Sequence, residues 1–109
     1  MLIVTTEQVP GYQIESVLGV CLGTGVRSRN AVGNILGGVA AIFGGKQGGA
    51  TAMVNQTRDD ALNALAEHAA SLGANAVVGM RFDSGEFDSG QGQVMEMVTA
   101  YGTAVVLAR

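Results

Sequence analysis

Cys21 and His68 are the two side chains in this sequence best suited to bind a transition metal, and each type occurs once. Tight sites for such metals usually take three or four cysteine, histidine or carboxylate ligands from local clusters. Neither residue belongs to a CxxC or HxxxH spacing. A lone cysteine in an apolar run is usually a small buried hydrophobe, and a histidine late in a helix is mildly favoured there. We expect both to be structural, unless symmetry brings several copies together at a subunit contact.

An acidic, glycine-rich stretch over 83–92 offers oxygen ligands for a hard cation through Asp83, Glu86 and Asp88. The spacing of these carboxylates does not match the twelve-residue calcium loop of EF-hand proteins. Polar, glycine-rich segments are typical of turns. We therefore expect a solvated hairpin tip.

Basic residues that could hold an anion fall between positions 27 and 46, at Arg27, Arg29 and Lys46. A phosphate-binding Walker A loop around Lys46 would need glycine at Ala40 and serine or threonine at Gln47. Neither requirement is met. An enzyme with an anion pocket between subunits therefore stays only as the weakest of three functional hypotheses.

Other catalytic and cofactor patterns are not found. The stretch 23–28 begins like GxGxxG but ends in serine and lacks the acidic residue of a dinucleotide site. His68 has no evident serine or cysteine partner, and no GxSxG elbow occurs. We expect no enzyme activity and no cofactor.

Hydrophobic periodicity predicts the elements that position these residues. The helix carries an apolar stripe with Leu65 and Ala69 at its centre, and Gly73 follows as a left-handed C-cap. In the strands, we expect Val17 to share a face with Cys21, and Val78 to share one with Met80. The predicted helix is 51–72, and the predicted strands are 2–5, 13–26, 76–82 and 94–107.

Both faces of the last strand are apolar, and this is the most informative pattern in the sequence. Its even positions are small and suit a helix, whereas a second face in contact with water should read as polar. Soluble monomers rarely expose a large apolar patch, and closed homo-oligomers are the usual cover. The alternative is that 31–49 folds over this face. We predict an oligomer interface that includes Met95, Met97, Tyr101 and Val105.

Composition limits the remaining classes. The 109 residues, 48% apolar and 14% charged, predict one globular domain over 1–109. A net charge of −3 argues against nucleic-acid binding. The apolar stretch 31–45 is shorter than a membrane span of about 20 residues, so no membrane partner is expected. The single cysteine and the lack of a signal-peptide pattern predict a cytoplasmic protein.

Several stretches, in order, resemble the YbjQ family, whose description proposes heavy-metal binding. The resemblance covers nearly the whole chain and is most specific in LGANAVVG and the closing GTAVV. The stretches are Thr5–Thr6, Val9–Tyr12, Leu18–Gly23, Arg29–Asn30, Gly44–Lys46, Leu72–Gly79 and Gly102–Val106.

The resemblance implies an α+β subunit of β-α-β-β type, with an antiparallel sheet packed on one main helix in a two-layer, dodecin-like fold. It also implies a ring-shaped homopentamer and, through the family description alone, a heavy metal. No residue carries over as a recognised ligand. The leading hypothesis is a non-enzymatic binding or structural module whose partner is itself; the first alternative is a metal-binding protein with ligands at subunit contacts.

Overall fold

One helix packs on a four-stranded sheet in the computed structural model, which describes residues 1–28 and 46–109, with side chains for 1–28 and 51–109. The sheet order is β1-β3-β4-β2. The α+β, two-layer prediction is confirmed, but the sheet is mixed rather than antiparallel. The elements are β1 (Leu2–Ile3), β2 (Gln13–Ser28), α1 (Lys46–Ser71), β3 (Ala76–Asp88) and β4 (Val94–Ala108).

The central strand β4 organises the sheet. Both β2 and β3 pair with β4 in antiparallel fashion, so they run parallel to each other at a distance of two strands. The short β1 pairs in parallel with the start of β3 through Leu2 and Ile3. This parallel edge, which no hairpin signal could predict, is what makes the sheet mixed.

The helix α1 begins five residues before its predicted start and ends one residue before its predicted end. Its buried stripe has a four-residue spacing, because residues four apart lie on one face of a helix. Gly73 has a φ of 92° and follows the helix, as the predicted C-cap requires. The stripe consists of Met53, Thr57, Ala61, Leu65 and Ala69.

The backbone of α1 lies directly against the glycines of β2. A Cβ atom at Gly23 would overlap backbone atoms of Ala61, Ala64 and Leu65, and one at Gly25 would overlap the carbonyl of Thr57. The absence of side chains at these positions therefore sets the distance between helix and sheet. We call this side of the sheet the covered face.

Two bulges correct the predicted strand faces, because an extra residue in one strand reverses the direction of the side chains beyond it. In β2 the register shifts between Val17 and Gly19, so Val17 lies on the face opposite Cys21 rather than with it. In β3 the register shifts after Val78, so Val78 and Met80 lie on opposite faces.

The predicted hairpin tip over 83–92 is wrong in its first half. Strand β3 continues to Asp88, and its residues pair with β4 up to Asp88 opposite Val94. A strand as long as β4 needs a partner along its whole length to bond its backbone, and this requirement overrides the polar, glycine-rich composition. The Cα radius of gyration is 17.0 Å, above the roughly 13 Å of a compact domain of this size, in keeping with the elongated sheet.

The N-terminal segment covers part of the second face. Val4 and Val9 pack against a buried cluster of Ala76, Val78 and Val105. Val105, predicted at the oligomer interface, is therefore fully buried within its own chain and is not available to a partner.

The alternative cover, 31–49, lies outside the described residues over 31–45, and 46–49 form the first turn of α1. No helix in the described part of the chain is long and apolar enough to cross a membrane.

Candidate interaction surface

The side of the sheet opposite α1 carries a continuous row of uncovered side chains, which we call the open face. Residues directly paired across strands point to the same side, so the register defines its members. Three of the four predicted interface residues lie there. The open face comprises Val20, Leu22, Thr24, Val26 and Ser28 of β2, Arg81, Asp83, Gly85 and Phe87 of β3, and Met95, Met97, Thr99 and Tyr101 of β4.

Large apolar side chains dominate this surface. Val20 is 68% exposed, Leu22 51% and Val26 44%. Phe87 and Tyr101 are exposed to similar extents. Scattered exposed apolar residues are normal, but a contiguous patch on one face marks an interaction site.

One polar row crosses the open face. The hydroxyls of Thr24 and Thr99 share a hydrogen bond of 3.0 Å, and Asp83 lies opposite Thr99 on β3. Beside this row, Arg81 donates from Nη1 to the carbonyls of Thr5 and Met80, each at 2.8 Å. The guanidinium thus ties the N-terminal segment to β3.

His68 supports the outer edge of the sheet. Strand β2 is an edge strand, and its Leu22 N–H donates to Nδ1 of His68 at 3.0 Å. An accepting Nδ1 places the proton of the neutral imidazole on Nε2. His68 therefore bonds an edge amide that no described strand pairs.

Cys21 is fully buried in the core between α1 and the sheet. Its Sγ donates to the carbonyl of Gly102 at 3.6 Å. Burial raises the pKa of the Cys21 thiol, because the apolar surroundings disfavour the thiolate, and a hydrogen bond from the backbone of Cys21 itself opposes this only in part. A protonated, enclosed thiol is a poor metal ligand and a poor nucleophile.

The candidate anion-binding residues do not form a described site. Arg27 donates from Nε to a carboxylate oxygen of Asp60 on α1 at 2.8 Å. Arg29 lies outside the described residues, and Lys46 is the first residue of α1. The one described candidate side chain is thus paired with an acid.

The acidic candidates are spread along β3 rather than gathered. Asp83 pairs with Thr99 on the open face, whereas Glu86 pairs with Glu96 on the other side. Asp88 accepts the N–H of Gly90 at 2.8 Å and shapes the turn into β4. Within 1–28 and 51–109, no three histidine, cysteine or acidic side chains come together as a metal group.

A shallow depression borders the N-terminal segment and is lined by residues 5–14 and Arg81. At its rim the hydroxyl of Tyr12 accepts a hydrogen bond from Arg109, whose guanidinium also lies 5.1 Å from the centre of the Tyr12 ring. These contacts tie the C-terminus of β4 to the N-terminal segment.

Sequence reasoning missed the role of the N-terminal segment, the distal half of β3 and the His68 contact with Leu22. The length of β4 was the available signal for the full length of β3, because a long strand needs a neighbouring strand of similar length to bond its backbone. The open-face residues of β2 were visible as an alternating pattern. No sequence signal identifies Leu22 as the hydrogen-bond partner of His68, because the two residues are 46 positions apart in the chain.

The chain is similar to known proteins over its whole length. The model of the YbjQ family, described as "Putative heavy-metal-binding", matches residues 1–108. A UPF0145 protein of Acidiphilium cryptum is 65% identical over 98% of this chain and 94% of its own length. One of Bradyrhizobium sp. is 46% identical over 98% and 93%.

A solved structure supports the fold. The crystal structure of a DUF74-family protein of unknown function from Pediococcus pentosaceus superposes with a TM-score of 0.65. The alignment covers 99% of this chain and 98% of that one, at 19% identity. This likeness establishes the architecture alone.

Proposed function

The chain belongs to the YbjQ family, and we propose that it is a non-enzymatic binding or structural subunit of a closed homo-oligomer whose copies enclose the open face. The observation that carries this proposal is the exposure of Val20, Leu22 and Val26 on a face opposite the only described helix. Burial of apolar area contributes about 25 cal/mol per Å². Covering this face is therefore a large favourable term in association.

The chemistry of the other surfaces favours self-association through the open face. The outer side of α1 carries exposed polar residues such as Asp59, Asn63 and Glu67, which have no need of an apolar partner. The open face has few charged residues, Arg81 and Asp83 among them. Fully buried interface cores are likewise apolar and poor in charge.

A ring of five copies is the specific form that we propose, in the cytoplasm. The ring size rests on the family resemblance, whereas the need for a partner rests on the open face. Native mass spectrometry of untagged protein, purified without chelator, tests both. We expect a species of five times 11.1 kDa, and a monomer at micromolar concentration would contradict self-association.

A matched pair of variants assigns the contact to the open face. Leu22→Lys places a charge among the apolar residues of that face, where its desolvation opposes association, and we expect monomers in light scattering. Ala70→Lys places the same charge on the exposed side of α1 and should leave the mass unchanged. Equal masses for both variants would exclude the open face as the interface.

The family description raises heavy metals as a further ligand class, but the described residues do not fit a resident metal. Cys21 is enclosed and held protonated, and Nδ1 of His68 already accepts a hydrogen bond. A metal site would need ligands from more than one subunit. The same native mass spectra would reveal it as stoichiometric added mass that Cys21→Ser or His68→Ala removes.

A further inference from the structure

The depression beside the N-terminal segment combines the two kinds of group that small-molecule sites contain. It is lined by residues 5–14 and Arg81, and its volume is about 990 Å³. Ligand sites in proteins are concavities of roughly 300–1,000 Å³ with a mostly apolar lining and a few polar groups that fix the orientation of the ligand. Apolar side chains and a cationic side chain both line this depression, and all of them come from one chain.

Arg81 brings unused hydrogen-bond donors to the depression. A guanidinium has five N–H donors in a fixed plane. Nη1 donates to the carbonyl oxygens of Thr5 and Met80, each at 2.8 Å. Within the described residues, Nε and Nη2 make no hydrogen bond, and Arg81 forms no ion pair. The N–H groups of Nε and Nη2 lie side by side, and such a pair matches the two oxygens of a carboxylate.

The backbone contacts of Arg81 also hold its guanidinium in place. Because Nη1 is bonded to both the N-terminal segment and β3, the pair of donors on Nε and Nη2 loses less conformational freedom on binding than a free side chain would. Both acceptors of Nη1 are neutral carbonyls, so they leave the positive charge uncompensated. Glu7 is the only acid in the lining of the depression, and it forms no ion pair with Arg81.

The distribution of positive charge favours an anion at this depression. Among the arginines with described side chains, Arg27 is paired with an acid and Arg58 lies over an aromatic ring. Arg81 and Arg109 have no acidic side chain as a partner in the described part of the chain. Both border the depression, Arg109 through its hydrogen bond to Tyr12. A chain with a net charge of −3 thus places two uncompensated cations around one concavity, where their field attracts anions.

The rest of the lining suits an apolar body attached to the anion. Its apolar members are Val9, Pro10, Tyr12 and Ile14. Tyr12 is 38% exposed and Ile14 is 41% exposed, so a ligand can reach both. The hydroxyl of Tyr12 accepts a hydrogen bond from Arg109 at 2.9 Å, and a phenol also has one O–H to donate. Tyr12 therefore offers a ligand both an aromatic surface and a hydrogen-bond donor.

We propose that the depression binds a small organic carboxylate with an aromatic or aliphatic body. The carboxylate accepts the side-by-side N–H groups of Nε and Nη2 of Arg81, and the body lies on Tyr12 and Ile14. A monocarboxylate matches the single free pair of donors, whereas phosphate groups are typically recognised by clusters of arginines. The site is built from one chain, so the proposal goes beyond the oligomer and does not rest on it.

Isothermal titration calorimetry of the full chain with a matched set of compounds tests the ligand class. Phenylacetate carries both parts of the proposed ligand, acetate lacks the apolar body, and phenylacetamide lacks the charge. We expect saturable binding of phenylacetate and roughly tenfold or weaker binding of the other two, because each lacks one of the two contacts. Equal binding of phenylacetate and phenylacetamide, or no saturable binding of phenylacetate, would overturn the proposal. Tighter binding of inorganic phosphate would overturn the carboxylate class.

Two arginine variants locate the site. Arg81→Lys keeps the positive charge but removes the paired N–H groups, so binding of phenylacetate should weaken by roughly tenfold. Arg58→Lys makes the same change on α1, outside the lining of the depression, and should bind phenylacetate as the wild type does. Equal binding by Arg81→Lys and the wild type would overturn the role given to Arg81.

Tyr12→Leu keeps the test decisive if Arg81→Lys fails to fold, which circular dichroism would show. This variant removes the ring and its hydroxyl and should weaken binding of phenylacetate more than binding of acetate. Unchanged binding of phenylacetate would overturn the position given to the apolar body. Native mass spectra of the same samples keep the two proposals apart, since an oligomer without saturable binding would overturn this site alone and a monomer that binds phenylacetate would overturn self-association alone.

Discussion

The two faces of β4 differ in how far their residues are covered by the rest of the chain. On the covered face Val98, Ala100 and Ala104 are at most 3% exposed, whereas Tyr101 on the open face is 40% exposed. Both sets come from one strand and both are largely apolar. Apolar character alone therefore does not tell whether a residue is buried by its own chain.

Side-chain size distinguishes the faces better than hydropathy does. The covered face is built from glycine, alanine and one cysteine where α1 crosses β2, because the helix backbone lies against the strand. The open face carries valine, leucine, methionine and tyrosine side chains. On β2, glycine and cysteine lie at the contact with α1, whereas valine and leucine lie on the open face.

The largest effect is expected where the helix touches the strand. Gly23→Val forces a side chain into backbone atoms of Ala61 and Leu65 that cannot move aside. Because the overlap is with backbone, the cost should exceed the about 1–3 kcal/mol that is typical of overpacking, and we expect loss of the native fold in circular dichroism. Gly85→Ala is the control and should change the free energy of unfolding little. A stable, native Gly23→Val would refute the close approach.

The next largest effect is expected from replacing a buried leucine, and it is compared with the replacement of a leucine on the open face. Leu65 of α1 is fully buried between the helix and the sheet, so Leu65→Ala should lower the free energy of unfolding by about 2–5 kcal/mol in urea titrations. The effect should not depend on protein concentration. Leu22→Ala, at 51% exposure, should instead weaken association, visible as a lower Tm at low protein concentration that recovers as the concentration is raised. If both variants showed the same change in stability and the same dependence on protein concentration, the proposed difference between the two faces would be wrong.

A smaller effect is expected at the edge of β2. His68→Ala removes the acceptor of the Leu22 N–H, and the loss of one such bond costs about 0.5–1.5 kcal/mol. Hydrogen exchange at the Leu22 amide should accelerate, since this N–H faces outward. His68→Gln keeps an acceptor and should retain part of the protection. Unchanged exchange in His68→Ala would mean that another group covers this edge.

The smallest effect is confined to alkaline pH. Burial raises the pKa of the Cys21 thiol above its ordinary value of 9.0. The unfolded chain therefore loses this proton at lower pH than the folded chain, so stability is complete below that value and falls as pH rises through it. Cys21→Ala should lack this component of the pH dependence. Rapid labelling of the folded protein by a thiol reagent at neutral pH would contradict the enclosed thiol.

Much of the fold was predictable from periodicity, because alternation and helical spacing report local burial directly. The helix with its cap at Gly73, the strands β2 and β4 and the helix-facing small residues were all predicted. The faces of Val17 and Val78 were not, since a bulge moves a residue across the sheet without changing the local composition. The second half of β3 was missed because its polar, glycine-rich composition is typical of a turn. These residues nevertheless pair with β4 up to Asp88.

The candidate surface was predictable in part for the same reason. Met95, Met97 and Tyr101 were assigned to the open face from their alternation in β4. Val105 follows the same alternation, but it is covered by Val4 and Val9, which are about 100 residues away in the chain. Alternation identifies the side of a strand and cannot identify what lies above it.

The sequence by itself determined the family, the α+β class and the presence of apolar residues on both sides of β4, because these depend on residue type and spacing alone. The tertiary structure decided which apolar residues remain uncovered and which backbone groups at the sheet edges are bonded. Those outcomes depend on contacts between distant segments, such as His68 with Leu22 and Val9 with the cluster around Val105. Long-range packing determines them, and no local pattern records it.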